Sequence, residues 1–293
     1  MFYGHVNELE EGHWKQVEWN KGQIVYKKNG LIALRSNVCP HQGSLIRIEP
    51  RGKGLASVCP YHGWSWDTEG NPKGEGTVGH TERSSKCIND KPLSEHNIYT
   101  WNGFMFGVGI PNSHLNISGE YKLEEYRVDI IKANSVPIMD LFLDIDHIPV
   151  VHPGVYDKID IPKIDTIKWI QNFGSSTQVV SDDKGNLGAL WMALYPNVMF
   201  EWQPGAVFVM VNKDTNDKGV TESHIYKYRD YSDVWETAWK PYDEKLWKLN
   251  NDVWETAWKQ DRSQAEALEP HWRYVPDSNL DDEKLRYRQW LKR

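Results

Sequence analysis

The sequence predicts an α+β fold in two domains, an all-β domain of residues 1–115 and an α+β domain of residues 116–293. Short strand-like runs separated by Asn-Gly turns fill the first third of the chain. Strands mixed with helix-like segments fill the rest. A chain of 293 residues is also long enough for two domains that each bury a core of their own.

The first domain is predicted from two Asn-Gly pairs that lie between apolar runs. Asn29-Gly30 separates residues 23–28 from residues 31–36, and Asn102-Gly103 repeats this pattern. Asn-Gly favours a two-residue hairpin because both residues tolerate the positive φ that a type I′ turn requires. Residues 109–119 are predicted as the linker that follows these strands.

The sequence of the second domain shows patterns of both helices and strands. We predict a helix over residues 137–151, strands over residues 176–228, and helices from there to the end, with residues 284–293 as a solvated terminal helix. The octapeptide DVWETAWK occurs at 233–240 and again at 252–259. Its tryptophans recur at i and i+4, so each copy predicts a helix with an apolar stripe.

Composition and charge exclude several classes of protein. The net charge is -7 and no basic stripe is present, which argues against partners with a phosphate backbone or an anionic lipid surface. The first residues lack the pattern of a signal peptide, and no apolar run is long enough to span a bilayer. We therefore expect a cytoplasmic protein without nucleic-acid or membrane partners. Three cysteines cannot form a disulfide framework, and Cys87 is interpreted as a small buried residue.

Two Cys/His pairs form the most specific motif in the chain. Cys39 and His41 stand in C-P-H, Cys59 and His62 stand in C-P-Y-H-G-W, and residues 42–58 separate the pairs. Two thiolates on one iron and two imidazoles on the other would hold a [2Fe-2S] cluster. A structural zinc is the alternative, since the same four ligands satisfy a tetrahedral site. An iron–sulfur cluster is favoured because each short loop contributes one cysteine and one histidine. In zinc fingers, cysteine is normally paired with cysteine and histidine with histidine.

A second metal site is predicted in Asp144-Ile-Asp-His147-Ile-Pro149-Val-Val-His152. His147 and His152 are five apart, about 140° around a regular helix, so they converge only if the helix is distorted. Pro149 would supply the distortion as a π-like turn. Ordinary core or surface histidines are the alternative for either residue alone.

Two histidines and one carboxylate form the facial triad of non-haem iron oxygenases, so a carboxylate is expected elsewhere in the chain. Asp261 falls on an apolar stripe with Trp254, Trp258, Ala265 and Leu268, where an unpaired carboxylate is costly to bury. Coordination to a cation would remove that cost. Glu255 and Glu266 fall off the stripe and are expected to be solvated.

These motifs resemble those of the Rieske non-haem iron oxygenases, and the resemblance covers most of the chain. It implies a Rieske domain followed by a helix-grip-like catalytic domain, with a [2Fe-2S] cluster and a mononuclear Fe(II) on His147, His152 and Asp261. It further implies a homotrimer in which Asp144 bridges the iron and a neighbouring subunit's cluster. The chain departs from the family pattern at Gln42, where many members have arginine. It departs again at Asp140 and Leu141, where an asparagine is usual.

The expected function is the hydroxylation or oxidative demethylation of a small organic molecule, as a monooxygenase or dioxygenase. The G-x-G-x-x-G match at residues 74–79 follows no apolar strand, so electrons are expected from a separate reductase or ferredoxin. The alternative is a non-catalytic electron-transfer protein with a degenerate second domain. Fifteen tryptophans suggest an aromatic cage for a quaternary ammonium substrate. We favour core packing for most of them, and place Trp191 and Trp202 where a pocket wall is conceivable.

Overall fold

The computed structural model describes residues 1–73, 90–107, 115–117, 119–155, 167–181, 185, 187–232 and 244–293. The chain divides into two compact units, one formed by Tyr3–Val108 and the other by Met1–Phe2 with Gly109–Arg293. Cys87, the glycine motif at 74–79 and the first copy of DVWETAWK lie outside the described residues, as does most of the predicted linker. The domain boundary between residues 115 and 116 stays a prediction.

The N-terminal unit is built of short antiparallel strands, as predicted. Its sheets are a five-stranded sheet of order β5-β2-β3-β4-β8, a three-stranded sheet of order β1-β10-β9, and the hairpin β6-β7. The strands are Phe2–His5 (β1), His13–Val17 (β2), Asn20–Lys28 (β3), Leu31–Ser36 (β4), Arg51–Lys53 (β5), Ser57–Val58 (β6), Ser65–Trp66 (β7), Glu95–His96 (β8), Tyr99–Trp101 (β9) and Phe104–Phe106 (β10).

Both predicted Asn-Gly hairpins are confirmed. Asn29 and Gly30 have φ of 52° and 75° between β3 and β4, and Asn102 and Gly103 have φ of 47° and 80° between β9 and β10. These positive angles are those of a type I′ turn. A Cβ at Gly30 would meet nothing within 4 Å, whereas one at Gly103 would collide with the ring of His5. Gly103 is therefore required for space as well as for conformation.

The second unit contains a seven-stranded antiparallel sheet, which confirms the α+β class. Its strand order is β11-β17-β16-β15-β14-β13-β12, so each neighbour from β12 to β17 is also the next strand in sequence. The strands are Tyr121–Ile131 (β11), Ile167–Asn172 (β12), Ser175–Ser181 (β13), Leu187–Leu194 (β14), Val198–Gln203 (β15), Ala206–Asp214 (β16) and Thr221–Asp230 (β17). The helices are Ser135–Phe142 (α1), Ile148–Val151 (α2), Glu244–Leu268 (α3) and Asp282–Leu291 (α4).

The long helix α3 packs its apolar stripe on the sheet. Trp254 and Trp258 are each 4% exposed and Ala265 is 1% exposed, as the stripe predicts. The Trp254 ring stacks on Phe208 of β16 with centroids 5.2 Å apart. Leu268 is 39% exposed, so the stripe does not reach the last residue of the helix. The second copy of DVWETAWK lies within α3, which gives it a packing role.

The expectation that Glu255 and Glu266 are solvated is wrong for Glu255. Its carboxylate accepts hydrogen bonds from Arg127, the closer one to Oε1 at 2.5 Å, and from Lys227, whose side chain is 1% exposed. Burial raises the pKa of the Glu255 carboxyl, but these two cations outweigh it and hold that pKa below its usual value. Glu266 is also bonded, to Arg262 on the same helix at 3.2 Å.

The C-terminal helix α4 is docked rather than solvated, which corrects the sequence-based expectation. Tyr287 is completely buried, and its hydroxyl donates to the carbonyl oxygen of Pro196 at 2.8 Å. The guanidinium of Arg288 pairs with the buried carboxylate of Asp140 in α1. Charged residues of α4 are thus paired with groups of the domain. No helix of the described residues is both long and apolar enough to cross a membrane.

Candidate metal centres

Cys39 and Cys59 lie at the base of two loops of the same shape. Both residues are only 2% exposed. In each loop the cysteine carbonyl accepts a hydrogen bond of 3.0 Å from a glycine N–H, Gly43 in the first loop and Gly63 in the second. These glycines have φ of 77° and 73°, a conformation that favours glycine. Each Cys/His segment therefore closes in the same tight turn.

The histidines of the two loops meet beside Trp64. The ring centroids of His41 and His62 are 4.7 Å apart, and His41 stacks on Trp64 at 4.7 Å with an interplanar angle of 13°. Trp64 belongs to the buried cluster that contains both cysteines. The structure therefore brings the four predicted ligands together in one region.

The Cys39 sulfur is buried and faces backbone N–H donors. Burial raises the pKa of the Cys39 thiol, and backbone N–H groups of His41 and Gln42 oppose that rise by hydrogen bonding to the sulfur. Donors aimed at the sulfur stabilise the thiolate, which is the form that binds iron. Gln42 makes this hydrogen bond through its backbone N–H. The bond is therefore kept although the side chain is glutamine where many family members have arginine.

His147 and His152 lie at the two ends of α2, which is a single helical turn. The Val151 N–H donates to the carbonyl oxygen of His147 at 2.7 Å, the spacing of an ordinary α-turn. The predicted π-like distortion is therefore wrong. Pro149 stands in the first turn of α2, where its missing N–H costs no hydrogen bond. The chain leaves the helix at His152, whose φ and ψ are -117° and 47°.

The two imidazoles converge with a carboxylate from α3. The Nε2 atoms of His147 and His152 are 3.2 Å apart. Oδ1 of Asp261 lies 3.3 Å from the first and 2.9 Å from the second. These three ligand atoms all lie within 4.8 Å of one another, an arrangement that can hold a metal ion.

The other nitrogen of each ring is occupied. Nδ1 of His147 bonds to the backbone carbonyl oxygen of Asp144, and Nδ1 of His152 bonds to Oε1 of Gln260 at 2.8 Å. Since both partners accept, Nδ1 can carry the proton in each ring, and each Nε2 then has a lone pair available to a metal ion at the common point. Sequence reasoning missed Gln260. Its position next to Asp261 was the available signal.

The pKa values of Asp261 and His152 are shifted because these side chains lie close together. Burial raises the pKa of the Asp261 carboxyl, but hydrogen bonds with both histidines outweigh it and lower that pKa below its usual value. For His152, burial lowers the pKa, and the hydrogen bond with Asp261 more than offsets it. The carboxylate is thus ionised and available to a cation.

A cavity opens beside these three residues. Its walls combine apolar side chains with amide and carboxylate groups, including Phe142, Ile145, Ile148, Gln178, Trp191 and Glu201. Burial raises the pKa of the Glu201 carboxyl to about 8. Trp202, which we placed near a pocket, does not line this cavity and instead donates to the Tyr121 hydroxyl at 2.9 Å.

Asp144 also lines this cavity and is fixed by three donors. Its Oδ1 accepts the N–H groups of Asp146 and His147 at 3.0 and 3.3 Å, and its Oδ2 accepts from Nζ of Lys284 at 2.6 Å. The carboxylate remains 22% exposed. Asp140 does not take the place of the family's asparagine near this cluster, because its carboxylate pairs with Arg288.

Comparison with known proteins agrees with this architecture. The family model of the Rieske [2Fe-2S] domain matches residues 1–82. Putrescine 2-hydroxylase of Ralstonia nicotianae is 27% identical over 239 residues, which cover 68% of this chain and 62% of that protein. The alpha subunit of benzene 1,2-dioxygenase of Pseudomonas putida is 34% identical over 85 residues, covering 28% of this chain and 18% of that protein.

Among solved structures, the quaternary ammonium Rieske monooxygenase CntA, in complex with an inhibitor, aligns with a TM-score of 0.69 at 16% identity. The alignment covers 100% of this chain and 87% of CntA. The likeness therefore extends through both units of the fold.

The matched motif and fold define a two-domain iron–sulfur protein whose second domain carries a His–His–Asp cluster. More particularly, the N-terminal unit is a Rieske [2Fe-2S] domain, and the homologues of the chain are Rieske oxygenases. The cluster interpretation is thereby confirmed over zinc. The alpha subunits of Rieske oxygenases carry a mononuclear non-haem iron in addition to the [2Fe-2S] cluster.

Proposed function

We propose that this chain is the oxygenase component of a Rieske non-haem iron oxygenase that acts on a small organic substrate. The observation that supports this most is the convergence of His147, His152 and Asp261 beside a cavity, in a chain with a Rieske domain. An electron carrier would need no such site. As a monooxygenase it would convert R–H, O2, two electrons and two protons into R–OH and water.

In this proposal His147, His152 and Asp261 hold the mononuclear iron. Two imidazoles and one carboxylate on one side leave positions open for oxygen and substrate. When bound, the iron supplies the activation of dioxygen. The protein's own contribution is to present both Nε2 lone pairs through the acceptors at Nδ1, and to line the adjoining cavity with buried and partly buried side chains.

Electrons would enter through the cluster on Cys39, His41, Cys59 and His62, from a separate reductase or ferredoxin. We propose a cytoplasmic homotrimer in which Asp144 links the iron of one subunit to the cluster of the next. Support comes from the position of Asp144, whose backbone carbonyl binds His147 while its carboxylate stays partly exposed. Asp144→Asn should then keep both metal centres and lose coupled turnover. Full activity in that variant would exclude the bridging role.

The names of the relatives indicate which classes of substrate to test. One relative is named for hydroxylation of putrescine and another for benzene, and the structural neighbour is named for quaternary ammonium compounds. The chain spans 62% of the putrescine hydroxylase, so none of these activities transfers directly. An oxygen-consumption screen over amines, aromatic compounds and heterocycles, run with a surrogate reductase, would identify the class.

Iron content separates this function from a carrier. Purified, reconstituted protein should contain about three irons per chain, since a Rieske cluster holds two. Asp261→Ala should lose only the third iron and keep the visible spectrum of the cluster. Asp252→Ala, at an exposed position on the same helix, is the matched control. About two irons in the wild-type protein, with no oxygen-dependent turnover, would favour the carrier instead.

A further inference from the structure

Three polar and aromatic residues form one row across the centre of the sheet. Gln178 of β13 is paired with Trp191 of β14, and Trp191 is paired in turn with Glu201 of β15. Directly paired residues of antiparallel strands project on the same face. All three line the cavity beside the His–His–Asp cluster. The register of three strands therefore places a carboxylate, an indole and an amide side by side.

Glu201 is an acidic residue of β15 that lines the cavity. Its Oε1 accepts a hydrogen bond of 3.1 Å from the indole N–H of Trp254. No lysine or arginine of the described residues forms an ion pair with it. Burial raises the pKa of this carboxyl to about 8, and the Asp261 carboxylate adds to that rise. Glu201 therefore ionises more readily when a positive charge lies beside it. Such a group is stabilised when a cation enters the cavity.

Gln178 supplies a second acceptor. The residue is 3% exposed, and its Nε2 donates to the carbonyl oxygen of Phe142 at 3.1 Å. That bond fixes the orientation of the amide, and Oε1 is buried without a donor among the described residues. A buried acceptor left unsatisfied costs free energy, which a ligand N–H would recover.

The side chains of Glu201, Trp191 and Gln178 together favour one class of ligand. Two acceptors and an indole face suit a protonated amine, which donates hydrogen bonds and is attracted by the negative face of an aromatic ring. A neutral aromatic ring would leave both acceptors unsatisfied. A ligand carboxylate would meet the acidic side chains of Glu201 and Asp144 in the same cavity, and neither of them attracts it.

We propose that Glu201, with Trp191 and Gln178, binds the ammonium group of a small aliphatic amine substrate beside the iron site. The inference rests on the proposed oxygenase function and names its substrate class. It makes Glu201 the residue that determines specificity for a positive charge.

Binding is measured by calorimetry on the anaerobic, iron-loaded protein, so that turnover is not needed. Putrescine is the cationic probe, because its ammonium groups donate hydrogen bonds, and butanediol is the neutral probe of matched length. We expect putrescine to bind and butanediol to bind far more weakly. Glu201→Gln should raise the dissociation constant of that cation roughly 10- to 100-fold, the value of a charge-assisted hydrogen bond.

Two further variants complete the test. Glu124→Gln makes the same chemical change on the exposed edge strand of the same sheet and should bind like the wild type. Gln178→Met removes the second acceptor at similar volume and should weaken putrescine binding several-fold.

The proposal is overturned if putrescine does not bind, or if Glu201→Gln binds it as tightly as the wild type does. It is also overturned if Glu201→Gln loses iron while its affinity for the cation is intact, because Glu201 would then only balance the charge of the metal. The iron count of the wild-type protein tests the oxygenase function separately. A protein with about three irons that binds only neutral rings would keep that function and lose this substrate class.

Discussion

Gln260 gives the sharpest test of how the proposed second metal site is built. It accepts from Nδ1 of His152 at 2.8 Å and so fixes which nitrogen carries the proton. The equivalent acceptor for His147 is a backbone carbonyl, which no side-chain substitution can remove. Gln260→Leu therefore perturbs one imidazole of the pair and leaves the other as a reference within the same site.

The expected magnitude follows from the contact that is lost. Without an acceptor at Nδ1, the His152 ring is no longer held in one tautomer, and its Nε2 carries the proton in part of the population. Removing the group that hydrogen-bonds the non-coordinating nitrogen of a metal-binding histidine typically lowers metal affinity about 10- to 100-fold. That loss is roughly 1.4 to 2.7 kcal/mol. The ligands themselves remain, so the site should weaken rather than disappear.

The assay is competition for ferrous iron with a chromogenic chelator under anaerobic conditions, with cluster absorbance followed in parallel. Gln260→Leu should release the mononuclear iron at lower chelator concentration and leave the cluster spectrum unchanged. Gln264→Leu is the matched control, because Gln264 is exposed one turn further along α3. Equal iron retention in the two variants would refute the view that Gln260 sets the tautomer of His152.

Three further predictions concern stability. Gly103→Ala should lower the free energy of unfolding in urea by about 2 kcal/mol more than Gly30→Ala, because only Gly103 faces a buried ring; equal losses would contradict this. Glu255→Gln should cost about 1 kcal/mol near neutral pH. Because the folded pKa of Glu255 lies below its unfolded value, that difference should vanish as pH falls through the folded pKa; a difference independent of pH would count against it. Lys284→Met combined with Asp144→Asn in a double-mutant cycle should give a coupling of about 1 kcal/mol that shrinks in high salt; additive effects would exclude the ion pair.

Local patterns predicted the parts of the fold that local chemistry determines. The Asn-Gly hairpins were predictable because few residues other than glycine and asparagine adopt positive φ at low cost. The burial of Trp254 and Trp258 was predictable from helical periodicity. The docking of α4 was not, because its charged residues find partners far away in sequence. Lys284 pairs with Asp144 across 140 positions, and no local pattern encodes that distance.

The candidate site, like the fold, was predictable from the sequence only where local patterns determine it. The spacing of His147 and His152 predicted a shared site, but it suggested a distorted helix where the structure has a separate turn. Glu201 and Gln178 escaped sequence reasoning because their roles depend on strand register. A shift of one residue in that register would move either side chain to the opposite face of the sheet.

Consecutive residues of α3 engage both nitrogens of one imidazole. Gln260 lies 2.8 Å from Nδ1 of His152, and Asp261 lies 2.9 Å from its Nε2. Neighbouring positions on a helix diverge by about 100°, so they reach opposite edges of a ring that stands against the helix. The rotation of α3 is fixed by Trp254, which stacks on Phe208 and donates to Glu201. Trp254 thus contributes to placing the imidazole, the proposed carboxylate ligand and the acid in the cavity, so a substitution at Trp254 should disturb iron and ligand binding jointly.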